Sequence, residues 1–253
     1  TFLLIFPLLS FIMAYLLAGM VLQPVKENYN LLRKFSFDAS HELKTPLAII
    51  QMSTGMLLSK KDGLEESVSK KILSIENASQ RMDRLVKQLL QLARAQEYNE
   101  SNSAKEPVDM NQLMAELLAE YEVYAQKKAV GLVVLGSVQK KPLLNKTIIR
   151  MVIGNIVENA IKFSPENSPV QIRLEEGKTS VMVQVKDFGP GIAEDEQDRV
   201  FERFYKADQS RHDHSGSGMG LSIVREYAKK MGIKIELESE PGSGTQFSIK
   251  IAC

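Results

Sequence analysis

Residues 155–163 read Asn-Ile-Val-Glu-Asn-Ala-Ile-Lys-Phe, and three glycine-bearing stretches follow: Asp187-Phe188-Gly189-Pro190-Gly191-Ile192, Gly216-Ser217-Gly218-Met219-Gly220-Leu221 and Gly242-Ser243-Gly244-Thr245. The apolar spacing from Lys146 to Lys162 is helical, so Asn155 and Asn159 fall one turn apart on one face, where their amide oxygens could coordinate Mg²⁺. Lys162 adds a cation suited to phosphate. The Asp187 carboxylate can accept from a base amino group, and the glycines beside it let backbone approach. Glycines that open a helix, as at 216–220, let amides and the positive helix end face phosphate. Each stretch also has an ordinary explanation, as a polar helix face, a strand-end turn, a flexible loop or a hairpin turn.

Outward from these stretches the chain alternates. Asp109 can cap a helix to about Lys127, Gly131–Val138 reads as a strand, and 170–174 and 181–185 alternate as paired strands. A short helix at 221–230 and strands at 233–237 and 246–251 close an α+β two-layer sandwich. The polar, aperiodic run 98–107 reads as a linker before this domain, 108–253. Ahead of it, Leu32, Phe35, Ala39, Leu43, Leu47 and Ile50 form one stripe of a long helix ending near Leu58. A second helix to about Gln96 keeps two heptad series, Ile75/Met82/Leu89 and Ala78/Leu85/Leu92. One hairpin buries little, so residues 25–97 are expected to pair with a second copy as a four-helix bundle in a homodimer.

Phe2–Leu22 is apolar for about 21 residues, enough helix to cross a bilayer core of about 30 Å. A signal peptide and a buried core helix are the alternatives, and for the signal peptide the basic leader, short apolar core and cleavage site are missing. Residues 1–24 are therefore expected to be a transmembrane helix with a short juxtamembrane link. Lys26, Arg33 and Lys34 favour a cytoplasmic C-terminal side. The chain opens on Thr1, which suggests a piece of something longer. About 19 residues separate Leu22 from His41, roughly 28 Å of helix and too few for a separate intervening module, so direct continuation of the membrane helix is expected.

Apolar residues make up 44% of the 253 and charged residues 25%, which excludes a disordered chain. The formal charge of +1 argues against direct nucleic-acid binding. It sums unlike parts: residues 23–97 hold 12 basic against 9 acidic side chains, and 98–253 hold 20 against 22. The single cysteine, Cys253, excludes an intrachain disulfide framework or a Cys-rich zinc site.

His41 lies in Ser40-His41-Glu42-Leu43-Lys44-Thr45-Pro46-Leu47, about 200° around the helix from Ala39 and Leu43, and so away from the apolar stripe. Glu42 could accept the Nδ1 proton and leave Nε2 free as a nucleophile. Pro46 removes the hydrogen bond to the Glu42 carbonyl and is expected to bend the helix. An ordinary exposed histidine beside a tolerated proline is the alternative.

The string around His41 resembles the phospho-acceptor box of bacterial sensor histidine kinases. In order and spacing the later stretches, with Phe201-Glu202-Arg203-Phe204-Tyr205, resemble the asparagine, glycine and phenylalanine boxes of the ATP-binding domain of that family, the Bergerat fold. The resemblance covers about Phe35 to Ile251. It implies a multidomain membrane kinase of the cell membrane with a cytoplasmic kinase region, using ATP and Mg²⁺. By the same resemblance such a kinase would phosphorylate itself on His41, pass the group to an Asp of a response-regulator receiver domain, and act as a phosphatase through Thr45.

The resemblance makes Glu42 the expected acid/base partner, and implies that Asp187 would read adenine and that Asn159 with Asn155 would hold the metal. Arg203 and Lys162 meet phosphates. Phe163, Gly189, Gly191, Ile192, Phe204, Gly216, Gly218, Met219, Gly220, Leu221 and Thr245 complete the nucleotide site, and 205–219 forms its lid. Phe163 stands where Tyr is frequent, Met219 where Leu is frequent and Asn145 where Asp often begins the helix, each keeping size or capping ability. An ATP-hydrolysing clamp of the same fold is the competing class. It would need a Glu where Asn155 stands, and Asn cannot serve as a base. A non-catalytic dimeric scaffold, or a phosphatase-only receptor, is a third class.

Overall fold

A computed structural model describes residues 43–56, 65–98, 104–206 and 217–253. It divides the chain into two compact units, 1–82 and 83–253. The membrane stretch 2–22 and the His41-Glu42 pair lie outside the described residues, as do Gly216 and most of the expected lid. Among the described residues no helix is long and apolar enough to cross a membrane.

Two helices occupy the N-terminal part: α1, residues 43–56, and α2, Glu65–Glu97. Helical geometry runs through Pro46. The heptad reading of α2 sorts by burial as periodicity demands: Ala78, Leu85 and Leu92 are buried, while Ile75, Met82 and Leu89 are partly so. The boundary between the compact units falls inside α2, after Met82, whereas the sequence placed a linker at 98–107. That linker is itself partly structured, because Glu106–Pro107 pairs as a short strand, β1, with β3, Leu143–Leu144.

The larger unit is built on a five-stranded sheet: β2 (Gly131–Leu135), β4 (Pro169–Glu176), β5 (Ser180–Lys186), β6 (Lys234–Glu240) and β7 (Gly244–Ala252). Their order is β2-β4-β5-β7-β6, with β2 parallel to β4 and the other pairs antiparallel. Strand alternation puts Val170, Ile172 and Leu174, Val181, Val183 and Val185, and Phe247, Ile249 and Ile251 into the core. Gln171, Arg173, Met182 and Gln184 occupy the other face. Helices α3 (Met110–Lys127), α4 (Lys146–Phe163) and α5 (Gly220–Lys230) pack the buried side, giving two layers. From α4 alone Ile149, Val152, Ile153, Ile156 and Ile161 are fully buried, each worth about 1.5–3 kcal/mol relative to exposure.

Caps fix where the helices begin. Asp109 accepts from the Asn111 and Gln112 amides at 3.1 Å, and Asn145 accepts from Ile148 N–H at 3.1 Å. Strand β2 ends at Leu135, short of the expected Val138, because Gly136 turns the chain with φ +77°. The released backbone at Val138 is held by the Asn111 amide, which donates to the Val138 carbonyl at 2.6 Å and accepts from its N–H at 3.0 Å.

The C-terminal turns of α2 belong to this unit and lie against α5. Tyr227 Oη donates to the Gln91 carbonyl at 3.4 Å, and its ring meets Tyr98 edge-on with centroids 5.9 Å apart. Lys230 Nζ reaches the Tyr98 carbonyl at 3.1 Å.

Candidate functional site

The site gathers where α4, the ends of β5 and β6, the start of β7 and the start of α5 meet. Its floor is Asp187, 5% exposed, at the end of β5. The Gly189 N–H donates to its Oδ1 at 2.8 Å and the Thr245 N–H to the same oxygen at 3.2 Å. Burial pushes the Asp187 carboxyl above the usual carboxylate range, against the lowering effect of those two amides. Oδ2 takes no bond from a described residue and is left as an acceptor.

Around Asp187 the backbone is drawn tight. Gly191 has φ +72°, and a Cβ there would collide with the Glu240 carbonyl oxygen, so the turn requires glycine. Gly242 N–H bonds the Pro190 carbonyl at 2.8 Å, fastening the 189–192 turn onto the β6–β7 hairpin. Ile192 is held at both backbone groups. Its N–H donates to Ser239 Oγ at 2.8 Å, and its carbonyl accepts from Gln197 Nε2 at 3.3 Å. The same Gln197 amide donates to the Ser239 carbonyl at 2.9 Å.

On the opposite wall, α4 turns Asn155 and Asn159 toward α5. A Cβ on Gly220 would stand 3.0 Å from Asn155 Oδ1 and 4.0 Å from Asn159 Nδ2, so the start of α5 lies directly beside both amides. Asn155 Nδ2 donates to the Met151 carbonyl at 2.8 Å, which fixes the amide and turns its Oδ1 toward Gly220. The Asn155 amide oxygen is a hard donor suited to a small oxygen-seeking cation, while Asn159 brings its Nδ2 nearest to Gly220, and the helix N-terminus beside them suits phosphate. Lys162 Nζ sits over the Phe163 ring, 4.8 Å from its centroid. Burial lowers the Arg203 guanidinium from its ordinary value, opposed by nearby Glu226.

Residues 207–216 lie outside the description, yet the chain on either side of them is joined. Phe204, with φ +61°, donates its N–H to the Gly218 carbonyl at 2.9 Å, and Gly218, at φ +72°, has no room for a Cβ against Phe204. A positive φ at a phenylalanine is strained, and the Gly218 bond helps hold it. Met219 is fully buried behind this junction, and Ser217 Oγ donates to Gln88 of α2.

The structure thus brings together Asn155, Asn159, Phe163, Asp187, Gly189, Gly191, Ile192, Gly220, Leu221 and Thr245, with Arg203, Phe204, Gly218 and Met219 along one edge. Thr45 lies on α1 and is exposed. Ser239 and Gln197 are absent from the sequence-derived set. The available signal was a serine on the inward face of β6, in register with Ile235 and Leu237.

A buried carboxylate with a free acceptor oxygen, glycine turns packed around it, and paired amides beside a helix N-terminus make a site chemically suited to a nucleotide. Comparison with known proteins places it more narrowly. Residues 145–252 match the family described as "Histidine kinase-, DNA gyrase B-, and HSP90-like ATPase", and residues 31–97 match "His Kinase A (phospho-acceptor) domain". The chain belongs to the sensor histidine kinases of two-component systems, which are protein histidine kinases.

It is 30% identical over 220 residues to the sensor-like histidine kinase SenX3 of Mycolicibacterium smegmatis, covering 87% of this chain and 57% of that protein. To the signal transduction histidine-protein kinase ArlS of Staphylococcus aureus it is 31% identical over 241 residues, covering 90% and 51%. The chain therefore spans about half the length of the curated relatives it matches. A crystal structure of histidine kinase ThkA in complex with response regulator protein TrrA aligns with TM-score 0.71 and 25% identity, over 90% of this chain and 63% of that one.

Proposed function

We propose that this chain binds ATP with Mg²⁺ in its C-terminal domain, transfers the γ-phosphoryl group to His41, and passes it to an aspartate of a cytoplasmic response regulator. The observation that carries this reading is the buried Asp187 carboxylate, with one oxygen tied to backbone and one left to accept, beside the paired asparagines at the start of α5.

Asp187 accepts from the adenine amino group, and the Gly189–Ile192 turn lies along the base. Asn159 and Asn155 hold Mg²⁺, which when bound neutralises charge on the phosphate oxygens. Lys162 and Arg203 approach the phosphates, and the 216–220 glycines let backbone amides and the N-terminus of α5 face them. Glu42 orients the His41 imidazole so that Nε2 attacks, and takes up its proton. Thr45, exposed on α1, positions a water when the chain dephosphorylates its regulator.

Pairing of two chains is supported by large apolar side chains left exposed along α1 and α2, among them Met52, Ile72 (54%), Leu73 (56%) and Leu90. We further assign residues 2–22 to a membrane span. The kinase hairpin then lies on the cytoplasmic side of the cell membrane, and residues 108–253 form the ATP-binding domain.

Incubation with γ-labelled ATP and Mg²⁺, followed by addition of a receiver domain, tests this. Acid-labile, base-stable label on the chain that moves to the receiver is expected. Steady phosphate release with no labelled protein would instead place the chain among ATP-hydrolysing clamps. Thr45→Ala is expected to keep autophosphorylation and lose dephosphorylation of the regulator.

A further inference from the structure

Ser239 carries more hydrogen bonds than any other hydroxyl described at the site, and their directions are not arbitrary. Its Oγ lies 2.9 Å from the Gly244 carbonyl, 2.8 Å from the Ile192 N–H and 2.9 Å from Thr245 Oγ1. A serine hydroxyl has one proton and two acceptor positions. A carbonyl can only accept, so the Ser239 proton goes to Gly244. An amide N–H can only donate, so one lone pair goes to Ile192. The remaining lone pair then faces Thr245, and the Thr245 hydroxyl must be the donor.

This arrangement fixes the polarity of Thr245. Its single proton is spent on Ser239, and to any other neighbour it offers lone pairs alone. Thr245 is 7% exposed and its own N–H donates to Asp187 Oδ1 at 3.2 Å, so its backbone adjoins the carboxylate at the floor of the site. Both side chains then present acceptors.

We infer that Ser239 is a specificity-determining positioning residue of the nucleotide pocket. It holds the Ile192 turn and commits the Thr245 proton, so that the floor accepts a 6-amino purine and rejects a 6-oxo purine. The inference rests on the ATP reading above and deepens it. Adenine brings donors to the two acceptors, whereas the 6-oxygen of hypoxanthine or guanine would set acceptor against acceptor in a buried place. Gln197 supports the same arrangement from behind, donating to the Ser239 and Ile192 carbonyls.

The test is competition of ATP and of inosine triphosphate against a fluorescent ATP analogue on the full chain with Mg²⁺. Inosine triphosphate differs from ATP at the 6-position while its sugar and phosphates are the same. In Ser239→Ala the Thr245 hydroxyl is free to turn its proton into the pocket. The preference for ATP over inosine triphosphate should therefore narrow by about two- to tenfold, the range of one neutral hydrogen bond. Ser239→Thr keeps the hydroxyl and should keep the preference. If the alanine variant fails to fold by circular dichroism, Ser239→Cys, close in volume and a poor donor, reads the same ratio.

An unchanged ratio in a variant that still binds ATP overturns this inference and leaves the nucleotide reading intact, even if both affinities drop together. Failure of the unaltered chain to bind ATP at all overturns the nucleotide reading and this inference with it.

Discussion

Replacing Asp187 by Asn separates what the carboxylate does for binding from what it does for stability. The asparagine oxygen can keep the two bonds from Gly189 and Thr245 N–H at 2.8 and 3.2 Å. The amide nitrogen then stands where Oδ2 was, a donor facing the amino group of the base. A hydrogen bond to a charged acceptor is worth about 1.5–3 kcal/mol, which is about 10- to 150-fold in affinity at about 1.4 kcal/mol per decade. The donor-donor contact moves the expectation toward the upper end.

Stability moves the other way. Burial raises the folded-state pKa of Asp187 above its unfolded value, so the native state holds this proton more readily than the unfolded chain. The carboxyl's contribution to stability therefore falls as pH rises from the ordinary carboxylate value through the raised one, and stays unfavourable above it. Asn carries no such charge. Asp187→Asn should melt no lower than the unaltered chain at about pH 8, and its relative advantage should shrink as the pH is lowered into the carboxylate range. Titration calorimetry with Mg·ATP and scanning calorimetry at both ends of that range measure the two effects. A variant that binds ATP within about twofold of the unaltered chain would refute the assigned role of Oδ2. One that gains relative stability as the pH falls would refute the burial argument.

Three further expectations concern the scaffold. Gly191→Ala forces a side chain into a left-handed turn against the Glu240 carbonyl, and urea unfolding should record a loss of at least about 1–3 kcal/mol together with weakened ATP binding. Asn145→Ala removes the α4 cap and should lower stability by about 1 kcal/mol in the same assay. Arg150→Ala breaks bonds to Glu116 and Glu120, but these pairs are partly solvated, so thermal melting should register a loss below about 1 kcal/mol.

The elements of the C-terminal domain were legible wherever one periodicity ran unbroken. Helix α4 was expected over 146–162 and spans Lys146–Phe163, and the pair expected at 170–174 and 181–185 became β4 and β5, each a little longer. Asn145 capped α4 as its side chain allowed. What did not read out was set by long-range partners. Nothing within β2 announces that it pairs in parallel with β4, and its early end depends on Gly136 and on Asn111, 27 residues before the Val138 it holds. The turns at Glu194–Glu196 and Arg199–Phe201 were not foreseen, since three residues are too few to show a period.

The site divides in the same way. Asn155, Asn159, Asp187 and the glycines could be singled out as candidates because their spacing is local and their order along the chain is distinctive. Ser239 was missed because its importance lies in contacts 47 residues back to Ile192 and across a hairpin to Thr245. The opposite case is α2, whose heptads were plain in the sequence. Its last turns nevertheless belong to the nucleotide-binding unit through Gln88, Gln91 and Tyr98, which no repeat within the helix could announce.

The most direct measurement is site-resolved mass spectrometry, under non-acidic conditions, of the full chain after incubation with Mg·ATP. Phosphate should be found on His41 alone, absent from His41→Gln and strongly reduced in Asp187→Asn. Phosphate on another residue, or ATP consumed with no phosphorylated protein, would contradict the assignment.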